Sequence, residues 1–336
     1  NLIIGDATTT AVRVDNISAT NSNNISGTVT LNATASGGNV TFDTAASTFN
    51  TLTVNAANGI DVTATLSTDA GAMALTTTSG NITLSDSAIA GGSNSVSLTA
   101  TAGSIIEASS NTTANITTTG TVSLTAGTSI GTTGSNNELD IASATALTFN
   151  VNDNLFVRGG GQTISSLDVT VDPAGAATYT LANFNAAQTF TMATDGTDLA
   201  ITDVSNTGNV DQTITAKTGN VTVTNMDAGT TGDVTATATA GNLVIGSGGI
   251  DFTENNTVTL GASGTITGAG LTTVSFTQGT KVFNTGTASI GTLSITGTGS
   301  VLNGTGDVTV TSGMTFTRGT ISGTGTLTTN SGTTTA

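Results

Sequence analysis

The chain has 336 residues, with 5 Lys and Arg against 21 Asp and Glu, a net charge of −16, and only 8% charged residues in all. It holds no His, Cys or Trp, one Pro (Pro173) and one Tyr (Tyr179). These absences exclude Ser-His-Asp triads, thiol nucleophiles and Cys/His zinc sites.

Five scattered cations, Arg13, Arg158, Lys217, Lys281 and Arg318, are too few to neutralise a run of phosphates, so nucleic acid is not an expected partner. A chain so rich in Thr, Ser, Asn and Gly invites a reading of disorder. Its 36% hydrophobic content and mean hydropathy of +0.18 argue instead for an ordered core. No apolar run reaches the roughly 18 residues of a membrane span, and no basic-then-apolar leader opens the chain. The chain starts at Asn1, and the expectation is a piece processed or excised from a longer protein.

From the first residues on, apolar side chains recur at spacing two rather than at three and four, which predicts strands and not helices. The unit is an apolar-x-apolar triplet behind a glycine corner, as in Gly27-Thr28-Val29-Thr30-Leu31, Gly38-Asn39-Val40-Thr41-Phe42 and Gly80-Asn81-Ile82-Thr83-Leu84. One series of triplets runs through Val29, Leu52, Met73, Val96 and Ile116 at steps of 20 to 23 residues. A second runs through Val40, Ile60, Ile82 and Ile105 at the same period. Two interleaved series mean at least two strands per period, displaced by 8 to 12 residues. The periodicity weakens between Val151 and Asp203, a stretch with Pro173, Tyr179, Gly159 to Gly161 and loose apolar residues such as Phe156, Phe184, Phe190 and Met192. It returns in Leu199, Val221, Leu243, Ile266 and Ile290, and from Val258 onward the units become shorter and richer in Thr and Gly.

A repeat of this length built of short strands is the pattern of a solenoid, in which one period is one coil and each coil buries its apolar face against the next. The prediction is an all-β parallel β-helix (β-solenoid) with about 22 residues per coil and roughly 15 coils, about 70 Å long at one strand spacing per coil. Three regions are expected: regular coils over 1–150, an irregular block or junction over 151–203, and a second run of coils with a Thr/Gly-rich tail over 204–336. Neither end shows a polar cap, so continuation in a parent chain or end-to-end stacking on a partner is expected.

The repeats Gly38 to Phe42, Gly80 to Leu84 and Val96 to Ile130 resemble those of filamentous-haemagglutinin-like proteins, and the tail from Arg318 to Leu327 resembles autotransporter passenger repeats. The resemblance is one of texture over most of 25–150 and 205–260. It implies a right-handed coil, bacterial origin, export, and display at the cell surface as an adhesive stalk. The Asn-Pro-Asn motifs typical of that family's secretion domain are absent, so the resemblance implies a piece of shaft rather than secretion signal or toxic tip.

Candidate sites are few. Asp153, within Asn150-Val151-Asn152-Asp153-Asn154, and Asp195, Asp198 and Asp203 offer oxygen ligands of the kind calcium accepts, although Asn, Asp and Gly are also the ordinary residues of corners. No other cofactor is expected. The three glutamates, Glu107, Glu138 and Glu254, are far apart in sequence, and a lyase for acidic sugars needs a basic cleft that five cations do not furnish, so no enzyme is expected. Ice binding through outward threonine pairs is weighed on Thr28/Thr30 and Thr51/Thr53, and the array breaks at Ala72/Ala74 before Ser95/Ser97. The expected role is an extracellular adhesin shaft or self-assembling filament, with host or neighbour-cell glycans as the alternative partner and no membrane insertion.

Overall fold

The structure is a computed structural model that describes residues 1–109, 111–132, 137–160, 166–171, 177–184, 188–192, 199–206, 212–216, 219–253, 257–330 and 333–335. It is all-β, 56% strand, and its parallel strands stack as a β-solenoid of about 12 turns roughly 23 residues apart. The count is lower than the expected 15, and the first coil is long, Thr28 hydrogen-bonding to Asn1, 27 residues earlier. Contacts divide the chain into two units, Asn1–Asp168 and Val169–Ala336. Within the predicted irregular block, 151–203, the described residues form the strands Leu155–Gly159, Ser166–Val171, Ala177–Phe184, Gln188–Met192 and the start of Leu199–Asn206, and the residues between these strands from 161 on are not among those described.

In the first unit the coils from Thr28 to Thr118 have three strands each, one more than the minimum read from the two series. Face A stacks Leu2–Ile4, Thr28–Ala33, Thr51–Ala56, Met73–Thr77, Val96–Ala100, Thr121–Ala126 and Ala146–Val151. Face B stacks Ala11–Val14, Asn39–Phe42, Gly59–Val62, Ile82–Leu84 and Ile105–Glu107. Face C stacks Ser47–Phe49, Leu66–Thr68, Ile89–Gly92, Ile116–Thr118, Leu139–Ala142 and Leu155–Gly159. A one-turn helix, Ala19–Ser22, capped by the Ser18 hydroxyl, precedes face C in the first coil and packs on Ser47–Phe49.

The alternation predicted from sequence holds along these faces. On face A the inward rows are Val29, Leu52, Met73, Val96, Val122, Leu147 and Leu31, Val54, Leu75, Leu98, Leu124, Phe149, all buried. Burial of each such side chain stabilises by about 1.5–3 kcal/mol, and no single coil can bury its own. One register differs from the sequence reading. Val96 stands opposite Val122, not Ile116, which lies on face C opposite Ile89 and Ile141. The corner after Glu107 lengthens this coil, as the 26-residue separation of Thr121 and its hydrogen-bonded neighbour Ser95 records. The second series holds throughout, from Val40 to Ile105, and continues through bridges to Ile130 and Leu155.

In the second unit Leu199, Val221, Leu243 and Ile266 stand in register. The next partner of Ile266 is Ala288, so Ile290 belongs to the same strand two residues on, where it faces Val310. The tail strands Thr273–Asn284, Thr287–Asn303 and Asp307–Phe316 are long because they run round corners through register shifts, and the coil contracts to 19 residues between Asp307 and Thr326.

Glycine corners work by close approach more than by left-handed backbone. Gly80 has an ordinary φ, but a Cβ there would strike the carbonyl of Asn58 in the preceding coil, whereas Gly219 does adopt φ 78°.

Candidate functional site

The corner between faces B and C collects the most chemistry in the first unit. Four coils contribute: Asp86; then Glu107, Asn111 and Asn115; then Glu138 and Asp140; then Arg158. Arg158 ends the last of these strands and grips Asp140 with two bonds, Nε to Oδ1 at 2.7 Å and an Nη to Oδ2 at 3.0 Å. The same guanidinium donates to the carbonyl of Asn111 at 3.0 Å and lies 3.5 Å from Glu138 Oε2, an ion pair without hydrogen-bond alignment. Such a two-point pair is both charge-assisted and geometrically specific.

Asn115, wholly buried, ties three coils together. Its Oδ1 accepts from the Asp140 amide at 2.8 Å, its Nδ2 donates to the Ser85 carbonyl at 3.2 Å, and its backbone amide donates to the Asp140 carbonyl at 2.9 Å. Asn111 reaches back the same way, donating from Nδ2 to Asp86 Oδ1 at 2.8 Å.

Glu107 is the least satisfied member. Both its carboxyl oxygens are shielded from solvent and have no hydrogen-bond partner. Asn115 is near enough to favour the charged form, but its amide donates to Ser85 and makes no aligned hydrogen bond to the carboxyl. Burial first, and then the charge of Asp140, pushes the Glu107 carboxyl up to about 7. Asp140 is also raised by burial, with the Arg158 hydrogen bond opposing, and Arg158 is held above its ordinary value by Asp140. Sequence reasoning set Glu107 and Glu138 apart; the coil period brings both beside Arg158. Glu254 lies outside the described residues.

The calcium candidates do not assemble into a described site. Asp153 sits in a corner held to the preceding coil, its amide donating to the Thr128 carbonyl and the Asn154 carbonyl accepting from Ile130. Asp195 and Asp198 lie outside the described residues, as does the side chain of Asp203, whose backbone belongs to the strand Leu199–Asn206. Among the described residues no three acidic groups converge on a metal-sized point.

The cations are dispersed. Arg13 pairs with Asp43 at 2.9 Å on the surface, Arg318 is exposed, and Lys217 lies outside the described residues. Lys281 is wholly buried in an inward row between Val258 and Leu302, its Nζ 5.6 Å from the centre of the Phe276 ring, within cation–π range. Sequence reasoning missed it because the late series followed the neighbouring face.

Shallow grooves mark the surface of the described residues. One, of about 310 Å³, is lined by Asn39, Asn58, Asp61, Asn81 and Thr83 on face B. Another, of about 390 Å³, lies beside Gly249, Asp251, Phe252 and Thr273. The outward row of face A reads Thr30, Thr53, Ala74, Ser97, Ser123, Thr148, so threonine continuity is lost at Ala74. No protein family, no curated protein and no solved structure matches this chain.

Proposed function

We propose that this chain is a non-enzymatic structural segment of a bacterial adhesin shaft or cell-surface filament, displayed outside the cell. The reading is carried by the stacking itself: parallel ladders join coil to coil within each unit, and the inward rows bury Val, Ile and Leu with few charges among them. A repeat stack of this kind gains stiffness and length with every added coil and needs no catalytic group to do its work. End-to-end self-association, or continuation of the stack in a longer chain, is the mode of assembly in this reading. Leu2–Ile4 pairs with Val29–Leu31 along one edge, and its three side chains are exposed at 39%, 66% and 45%. Open apolar edges of this kind are templates for strand addition.

Electron microscopy and sedimentation across a concentration series test the reading. The expected result is end-to-end association that Ile3→Lys abolishes while leaving the melting temperature unchanged. Monodisperse monomers at every concentration would overturn self-assembly. The polar groove at Asn39, Asn58 and Asn81 favours a second reading, a shallow glycan-binding face, and a glycan array without hits would remove it.

A further inference from the structure

Along face B, Val14, Phe42, Val62 and Leu84 stand one above another, all buried, and the next register position of that row is Glu107. A carboxyl therefore takes the place of an aliphatic side chain in the core row. Its two oxygens meet neither solvent nor a hydrogen-bond partner. The charged groups that act on it come from three other coils: Asp86, Asp140 and Arg158, with Glu138 sharing Arg158. Arg158 is already committed to Asp140 and to the Asn111 carbonyl. An ionised Glu107 is then a buried charge among acids, whereas a neutral Glu107 is only a buried polar group, and the difference in cost is large.

We propose that this corner is a proton-operated latch: with Glu107 protonated, the segment Asn111–Asn115 packs down between Asp86 and Asp140, and ionisation of Glu107 loosens it. Burial raises the folded-state carboxyl to about 7 from its ordinary value of 4.5, which brings the switch up to the neutral range. Because the folded value lies above the unfolded one, the stabilisation is complete below about pH 4.5 and is lost as pH rises through about 7. The latch does not depend on what the solenoid attaches to or whether it assembles.

Hydrogen–deuterium exchange on the full chain, corrected for intrinsic rates and read from about pH 5 to about pH 9, tests it. In the wild type, protection over 111–118 should fall by up to about tenfold per pH unit as pH rises from about 5 to about 7 and level off above about 7, relative to the coil Met73–Leu84. Glu107→Gln, an isostere of the neutral acid, should keep the segment protected at every pH. Glu107→Leu, which restores the aliphatic row, should do the same, so the test does not hang on one substitution. Wild-type protection that tracks the control coil at all pH values would overturn the latch, as would the same pH dependence in both variants.

Discussion

Asn115 makes backbone-like bonds from a side chain, and through them one residue joins the coils that hold Ser85, Asn115 and Asp140. Replacing it with Ala strands the Asp140 amide in a buried corner, while the Ser85 carbonyl keeps only the Ala88 amide. Asn115→Ala should cost about 1–3 kcal/mol in urea unfolding, while Asn24→Ala in an exposed turn should cost little. Neither Asn115 nor Glu107 stands out by type. Glu107 was nonetheless legible in principle, because it falls two residues after Ile105, at the second inward position of a triplet whose earlier copies hold Phe42, Val62 and Leu84. An acid at an inward triplet position is the signal. What could not be read was its company, since Asp140 and Arg158 reach it only through the stacking of later coils.

Strands in this protein have little stability of their own. Most are three to six residues long, and each is held by ladder bonds to the coils on either side and by its inward residues. Val96–Ala100 is paired on both edges, to Met73–Thr77 and to Thr121–Ala126. Proline at outward-facing Ser97 removes a ladder donor without touching the core row. Ser97→Pro should therefore destabilise by about 3 kcal/mol or more in thermal or urea unfolding, against little change for Ser97→Thr. The period that located these strands failed where a corner changed length: after Glu107 the coil lengthens, and a constant step from Val96 lands on Ile116, one face too soon. Hydrophobic alternation reports which residues face inward. It does not report which wall of the coil they belong to, because all three walls share the same period-two pattern.

A stack of near-identical coils in the first unit behaves as a sum of nearest-neighbour interfaces. Removing one whole coil should leave that logic intact. Deleting residues 60–81 splices Gly59 onto Ile82 and restores the same inward register, since Ile60 and Ile82 occupy equivalent positions. The shortened chain should keep its strand signal by circular dichroism and unfold cooperatively with a modestly lower melting temperature. Deleting half a coil, by contrast, puts face A strands against face C strands and should give an aggregated product. Among the described residues most acids stand at exposed or half-exposed positions. Spread over stacked coils, a net charge of −16 discourages lateral association.

By itself the sequence determined the class of fold and the period, because a two-residue alternation behind glycine corners, repeated about every 22 residues, admits no economical packing other than a stack of parallel coils. It also determined which inward positions would be apolar along Val40 to Ile105. Only the tertiary structure decided the three-walled coil, the change of register at Ile116, and the corner at which Glu107, Glu138, Asp140 and Arg158 meet. The reason is physical. Alternation is a local property of one strand, whereas the meeting of Arg158 with the carbonyl of Asn111, 47 residues earlier, depends on the summed lengths of every corner between them.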